Sequence, residues 1–123
     1  MYNFIKKYLK PHIVPLNSIE ISQKAIIANY RLWKKLQPSY KLISILKSNA
    51  YGHGIRSICQ ILNTIQHEVD MVGVDSLPEY QIVRDQTTFP ILILNETNHH
   101  NYHYFDFRRT SLVVYTLDTI KFL

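Results

Sequence analysis

Residues 42–54 of the chain read LISILKSNAYGHG, and this stretch decides the predicted fold. The nearly continuous apolar run at residues 42–46 is typical of a parallel strand that is buried on both faces. The run ends at Lys47, and residues 48–54 are rich in turn formers. Because ligands bind beyond the carboxyl ends of parallel strands, Lys47 occupies a candidate functional position.

Outward from this stretch, strands and helices alternate along the chain. Hydrophobic patterns predict four strands, at residues 42–46, 71–74, 91–94 and 112–115. They predict helices at residues 23–36, 55–65, 76 onward and 116–123, and a poor helix at 97–107. This alternation indicates right-handed βαβ units on a parallel sheet, and therefore an α/β fold. The alternating residues 18–22, Ser-Ile-Glu-Ile-Ser, predict one further strand that stands apart from the sheet.

Two capping signals mark the helix that begins after residue 76. Ser76 can accept hydrogen bonds from the amides of the first turn, and Glu79 can reach back to close a capping box. Pro78 is tolerated there because its missing N–H donor would be unpaired in a first turn.

Length and composition limit the class of protein. The chain has 123 residues, of which 46% are apolar, enough for one domain. The net charge of +5 is spread out and accompanies no nucleic-acid-binding module, so we expect an ordinary basic surface and no nucleic-acid partner. No run approaches the roughly 18 apolar residues of a membrane span. The lone Cys59 excludes an internal disulfide and predicts a small buried side chain in a reducing, cytoplasmic compartment.

The first 14 residues form a separate basic leader. Lysines alternate there with apolar and aromatic residues at near-helical spacing, so a short amphipathic helix on a membrane surface is one interpretation. A segment that packs on its own domain is the other, and Pro11 ends it in either case.

Lys47 and the residues after it suggest carbonyl chemistry. A lysine among apolar side chains tends toward a lowered pKa, and a neutral amine can attack a carbonyl and form a Schiff base. Tyr51, His53 and two glycines stand at the entrance of the next helix, where a phosphate is favoured. Pyridoxal phosphate (PLP) needs both an amine and a phosphate anchor. By spacing alone, however, a lysine that merely extends from a strand end into solvent is the favoured interpretation, since exposed lysines are the rule.

The string at residues 46–54, LKSNAYGHG, closely resembles the PLP signature of the alanine racemase family, with Leu46 and Ser48 in place of the usual Val and Ala. The resemblance extends over residues 15–123. It implies part of a TIM-type (β/α) barrel with about four βα units, PLP as cofactor, and interconversion of L- and D-alanine for peptidoglycan. It also implies that Lys47 carries PLP as a Schiff base and acts as an acid/base catalyst. By the same resemblance, Tyr51 contacts the cofactor phosphate and Leu94 lies near its ring.

The chain is shorter than this family. A complete barrel needs roughly 200 residues or more, and the family's second catalytic base, a tyrosine, lies beyond residue 123. We therefore expect an N-terminal racemase fragment that is inactive alone; the homodimer of the full-length family need not form. A non-catalytic PLP-binding or structural remnant of a degenerate gene is the alternative. The reading frame beyond Leu123 would distinguish the two.

A histidine-rich segment is the other candidate site. His99 and His103 would share one helix face, as zinc ligands can. No Cys or carboxylate stands at a matching position, so we expect a polar surface segment with His100 and no metal, and a metal site is the less favoured interpretation.

Overall fold

The computed structural model describes residues 16–123. The basic leader predicted for residues 1–14, with its possible amphipathic helix, lies outside the described residues. The right-handed helices are α1 (Gln23–Leu36), α2 (Ile55–Asn63), α3 (Leu77–Gln86) and α4 (Leu117–Phe122). The strands are β1 (Ile43–Ile45), β2 (Met71–Val74), β3 (Ile91–Ile93) and β4 (Thr110–Leu112). A short helical turn at Lys47–Tyr51 follows β1, and a 3₁₀ helix at His99–Tyr104 follows β3.

The four strands form one parallel sheet in the order β1-β2-β3-β4. In its register Ile45 pairs with Gly73 and Gly73 with Leu92. Each strand is followed by helical structure before the next, as right-handed βαβ units require. The predicted α/β fold with four parallel βα units, consistent with part of a barrel, is therefore confirmed.

The two faces of the sheet differ in burial. On the helix-covered face, Val72, Val74, Ile91 and Ile93 are fully buried and form the centre of the core. The opposite face, which we call the inner face, is defined by Ile43, Ile45, Gly73 and Leu94. A Cβ atom built on Gly73 would meet the side chains of the other three, so the four lie together. Ile43 and Ile45 are each 37% exposed, so the described residues leave this face partly open.

The helices begin and end largely where local chemistry predicts. The Ser22 side chain accepts from the Ala25 amide at 3.2 Å and caps α1, which ends at Leu36, two residues before Pro38. The predicted helix at 55–65 ends earlier, at Asn63. The strand predicted at 112–115 lies at Thr110–Leu112 instead. Within residues 97–107, where the sequence predicts a poor helix, the chain forms the 3₁₀ helix at His99–Tyr104.

The strand predicted at residues 18–22 is wrong. This segment carries no strand pairing, and Ile19 is 78% exposed. Ile21 does pack against the core, which explains part of the alternating pattern. A strand forms only where its backbone groups pair with a neighbour, and no described strand pairs with these residues.

Cys59 lies in the core, on α2, with no exposed surface. Burial raises the pKa of its thiol to about 11, which keeps it protonated and unreactive. The prediction of a small buried side chain at this position is confirmed. None of the helices in the described part of the chain is long and apolar enough to cross a membrane.

Candidate functional site

The turn after β1 is left-handed. Ser48, Asn49 and Ala50 have φ, ψ angles near +53°, +46°, and Tyr51 has φ +52°. A left-handed helical conformation costs L-residues about 1–2 kcal/mol each, and four consecutive residues without a glycine adopt it here. Backbone strain of this kind clusters at functional sites, where surrounding contacts hold it in place. The sequence indicated a turn, but not its handedness.

Contacts on several sides hold this turn. The Ala50 amide donates to the Leu46 carbonyl at 2.8 Å, and the Ala50 side chain is buried in the core. The Asn49 side chain accepts from the Ile55 amide at 2.8 Å and so caps α2. Gly52, at φ +87°, ends the turn in a conformation that favours glycine.

Glu79, in the first turn of α3, provides a long-range contact to the turn. Its Oε1 accepts from the Ser48 amide at 2.6 Å, and its Oε2 accepts from the Asp75 amide at 3.0 Å. Ser76 caps α3 as predicted, accepting from the Glu79 amide at 3.4 Å. The prediction that Glu79 closes a capping box on Ser76 is wrong, because its carboxylate binds the Ser48 and Asp75 amides instead. Glu79 thereby links the turn after β1 to the loop after β2.

Lys47, which directly precedes the left-handed residues, forms an ion pair. Its Nζ lies 3.1 Å from Asp75 Oδ2, and each side chain is about one-third exposed, at 33% and 32%. The hydrogen bond and charge of Asp75 raise the pKa of Lys47 above its usual value, with smaller contributions in the same direction from Tyr51 and Glu79. The expected lowered pKa is therefore wrong. Burial does lower the pKa of Lys47, but a side chain this exposed loses little hydration, and the nearby carboxylate dominates.

The other two predicted cofactor residues, Tyr51 and Leu94, lie on different elements. Tyr51 belongs to the same turn as Lys47, and its side chain is 63% exposed. It also borders a cavity of about 360 Å³ between α1 and β1, together with Ile45 and Trp33. Leu94 follows β3 on the inner face, half-buried. The three predicted cofactor residues therefore follow β1 and β3, at the carboxyl ends of these strands.

Asp75 is the residue of this candidate site that sequence reasoning missed. Asp75 is the first residue after β2, and Lys47 is the second residue after β1. Adjacent parallel strands end at the same edge of a sheet, so this placement was the available signal. A cation and a carboxylate at neighbouring strand ends predict an ion pair.

The histidine-rich segment follows β3 and packs against α4. The His99 ring packs on Phe122 of α4 at a centroid distance of 4.1 Å. His100 Nδ1 lies 2.9 Å from the Asn98 side chain. Among residues 16–123, no group of three His, Cys, Asp or Glu side chains is placed to hold a metal.

Four parallel strands with intervening helices, joined in the order β1-β2-β3-β4, define the class as an α/β domain consistent with part of a (β/α) barrel. The family described as "Alanine racemase, N-terminal domain" matches residues 21–123. The chain belongs to the alanine racemase family, in the N-terminal part of its barrel.

Individual relatives agree with this assignment. The chain is 38% identical over 80 residues to an alanine racemase of Leptospira interrogans, a match that covers 63% of this chain and 20% of that protein. It is 35% identical over 77 residues to an alanine racemase of Vesicomyosocius okutanii, covering 63% and 21%. These matches therefore span about a fifth of each relative's length.

Solved structures give the same result. The alanine racemase of Oenococcus oeni superposes with a TM-score of 0.73 at 27% identity, covering 84% of this chain and 30% of that one. The histidine racemase of Leuconostoc mesenteroides superposes with a TM-score of 0.71 at 25% identity, covering 83% and 27%. The fold is thus shared by racemases named for different amino acids.

Proposed function

We propose that this chain is the N-terminal, cofactor-anchoring part of a PLP-dependent racemase that interconverts L- and D-alanine. The observation that carries the proposal is the position of Lys47, directly before the strained left-handed residues at the carboxyl end of β1 and within the signature string. Alanine is proposed as the substrate because the matched sequence relatives are alanine racemases.

The residues at this site fit PLP. The Lys47 amine is partly exposed, so an aldehyde can reach it. The Tyr51 side chain on the same turn is exposed, so its hydroxyl can donate to a phosphate. Leu94 offers an apolar surface on the neighbouring inner face. An amine, a phosphate donor and an apolar wall are the groups that hold this cofactor.

Each residue then has a defined task. When bound, PLP supplies an electron sink that stabilises negative charge on the substrate α-carbon. Lys47 binds the cofactor covalently through Nζ and moves a proton at one face of the α-carbon, while Tyr51 binds the phosphate. Racemisation also needs an acid/base group at the opposite face, and general acid–base catalysis contributes roughly 10²–10⁴-fold per positioned group. We assign no described residue to that face, so the chain alone should not racemise alanine.

Reductive trapping tests the proposal. The chain is incubated with PLP, reduced with borohydride and digested, and the modified peptide is identified by mass spectrometry. We expect the pyridoxyl label on Lys47 and none at this position in Lys47→Ala. Lys121, which is exposed and also paired with a carboxylate, serves as the matched lysine within the same chain.

The outcomes are distinct. Label on Lys47 at sub-stoichiometric PLP, with Lys121 unmodified, would support a dedicated cofactor site. Equal labelling of the two lysines would contradict it and would favour a structural remnant. Rapid D-alanine formation by the purified chain would contradict the expected inactivity instead.

A further inference from the structure

The backbone of the residue whose carboxylate faces Lys47 is held independently of the lysine. Asp75 directly follows β2, and its own amide donates to Glu79 Oε2 at 3.0 Å. The other oxygen of Glu79 accepts from the Ser48 amide at 2.6 Å, one residue after Lys47. One glutamate thus fixes the backbone on both sides of the ion pair. These backbone contacts keep the chain at Lys47 and at Asp75 within reach of each other, where their side chains meet at 3.1 Å.

The ionisable groups that surround Lys47, chiefly the Asp75 carboxylate, favour its protonated form. Asp75 lies on the loop after β2, Glu79 on the first turn of α3, and Tyr51 on the lysine's own turn. Each of the three raises the pKa of Lys47, with Asp75 first. Among the described residues that influence Lys47, none is a cation that would oppose this effect.

A protonated lysine cannot attack an aldehyde, because its nitrogen has no free electron pair. On the proposed function, covalent attachment begins when the Lys47 ammonium releases one proton to solvent. The amine electron pair then attacks the aldehyde carbon, a C=N bond forms, and the carbonyl oxygen leaves as water. The loss of the proton must precede the other steps, so whatever holds that proton controls the attachment.

We propose that Asp75 is a positioning residue that holds Lys47 as an oriented ammonium ion, so that release of this proton controls covalent attachment of the cofactor. This proposal rests on the proposed function for its consequence, but the holding of the proton can be measured without any cofactor. Asp75 acts through Lys47 and needs no contact with cofactor or substrate.

The test measures how fast Lys47 reacts with a trace of acetic anhydride as a function of pH, in the chain without cofactor. Only the neutral amine is acetylated, so the profile follows proton release. At pH 8 we expect Lys47 to be acetylated about threefold to tenfold faster in the Asp75→Asn variant than in the unmodified chain. Asp75→Glu, which keeps the charge, should retain the slow rate.

A second ion pair provides the matched control. Asp118 lies 3.3 Å from Lys121 on the exposed α4, where solvent screens the interaction. Asp118→Asn should leave the Lys47 rate unchanged, and the Lys121 rate should be equal in the Asp75 variants and the unmodified chain. Faster acetylation of every lysine in Asp75→Asn would indicate unfolding, and slow acetylation of Lys47 in Asp75→Glu then becomes the deciding result.

The outcomes separate this proposal from the proposed function. Equal Lys47 rates in Asp75→Asn and the unmodified chain would overturn the role of Asp75, whether or not PLP attaches. A faster rate in Asp75→Asn, together with a matching rise in borohydride-trapped PLP on Lys47, would support both. A faster acetylation rate with no PLP on Lys47 in either chain would support the control of the proton and contradict the proposed function.

Discussion

Glu79 binds two backbone amides that belong to different βα units. It accepts from the Ser48 amide at 2.6 Å and from the Asp75 amide at 3.0 Å. A hydrogen bond to a charged acceptor contributes about 1.5–3 kcal/mol. Such bonds can offset part of the strain of the left-handed turn. The orientation of Lys47 therefore depends on a residue 32 positions later in the sequence.

Glu79→Gln should weaken this connection. The two amides bind different oxygens of Glu79, and glutamine replaces one of these oxygens with an NH₂ group, so one amide would lose its acceptor and face a donor. We expect a loss of about 1–2 kcal/mol in the free energy of unfolding. Hydrogen exchange at the Ser48 or Asp75 amide should also accelerate, as measured by NMR. Glu20→Gln, an exposed change outside every element, is the control, and unchanged exchange at both amides in Glu79→Gln would contradict the role given to Glu79.

Sequence reasoning found some of these residues and missed others for physical reasons. Lys47 could be predicted because a strand end and a specific string both indicate it. The left-handed turn could not be predicted, since Ser, Asn, Ala and Tyr carry no signal for four consecutive positive φ angles. Only the tertiary contacts enforce these angles. The capping-box pattern placed Glu79 at the right position, but the neighbouring strand supplied a different partner.

At the scale of elements, α1 is fastened to the loop before β2 by polar contacts. The Tyr30 hydroxyl donates to the Glu68 carbonyl at 2.9 Å and accepts from the Asp70 amide at 3.1 Å. Lys34 donates to Asp70 at 2.5 Å, and the same carboxylate accepts from the Leu42 amide at 2.8 Å. This network sets where β1 begins relative to β2, and so where Lys47 emerges from the sheet.

Asp70 should make the stability of the chain depend on pH. Burial raises the pKa of Asp70, but the Leu42 amide and Lys34 together lower it by more than burial raises it, so the net shift is downward. A lowered folded-state pKa contributes stability that is full above the unfolded value of about 3.9 and is lost as pH falls through the folded value. Asp70→Asn should cost about 1 kcal/mol at pH 7 and less as the pH falls below about 4.

Urea denaturation at several pH values measures this effect. The difference in free energy of unfolding between the unmodified chain and Asp70→Asn should shrink as acid protonates Asp70. Asp85→Asn, an exposed change on α3, should show no such trend. A difference that stays constant from pH 7 to pH 3 would show that Asp70 acts through packing and not through its charge.

Periodicity predicted most elements because each buries one apolar face or run, which sequence shows directly. The strand at residues 18–22 failed because alternation alone does not supply a pairing partner. The ion pairs that fasten α1 could not be predicted, since residues such as Lys34 and Asp70 meet only after the sheet register is set.

At the scale of the whole molecule, the sheet has one covered face and one open face. The fully buried residues lie under the helices, while Ile43 and Ile45 remain 37% exposed on the inner face. In the described part of the chain, β1 and β4 are the outer strands of the sheet. Open apolar surface and unpaired strand edges promote association between chains. We therefore expect this chain to self-associate when it is produced alone.

The double variant Ile43→Thr, Ile45→Thr should reduce this association while keeping the secondary structure, because both side chains lie on the open face and threonine retains strand propensity. Light scattering measures the association and circular dichroism the fold. Ile91→Thr on the covered face is the matched control, and should cost about 2 kcal/mol or more because it buries a hydroxyl where no side-chain surface is exposed. Unchanged scattering by the double variant would show that other surfaces drive association.

The left-handed turn also has a stereochemical consequence. Four consecutive residues, Ser48 to Tyr51, adopt the mirror image of an ordinary helical backbone, the region that D-amino acids prefer. Ser48 is exposed, so inverting its α-carbon would not displace a buried side chain. At this position a D-residue therefore fits the backbone with less strain than an L-residue. A chemically synthesised chain with D-serine at residue 48 should hold Lys47 in the same place with less backbone strain.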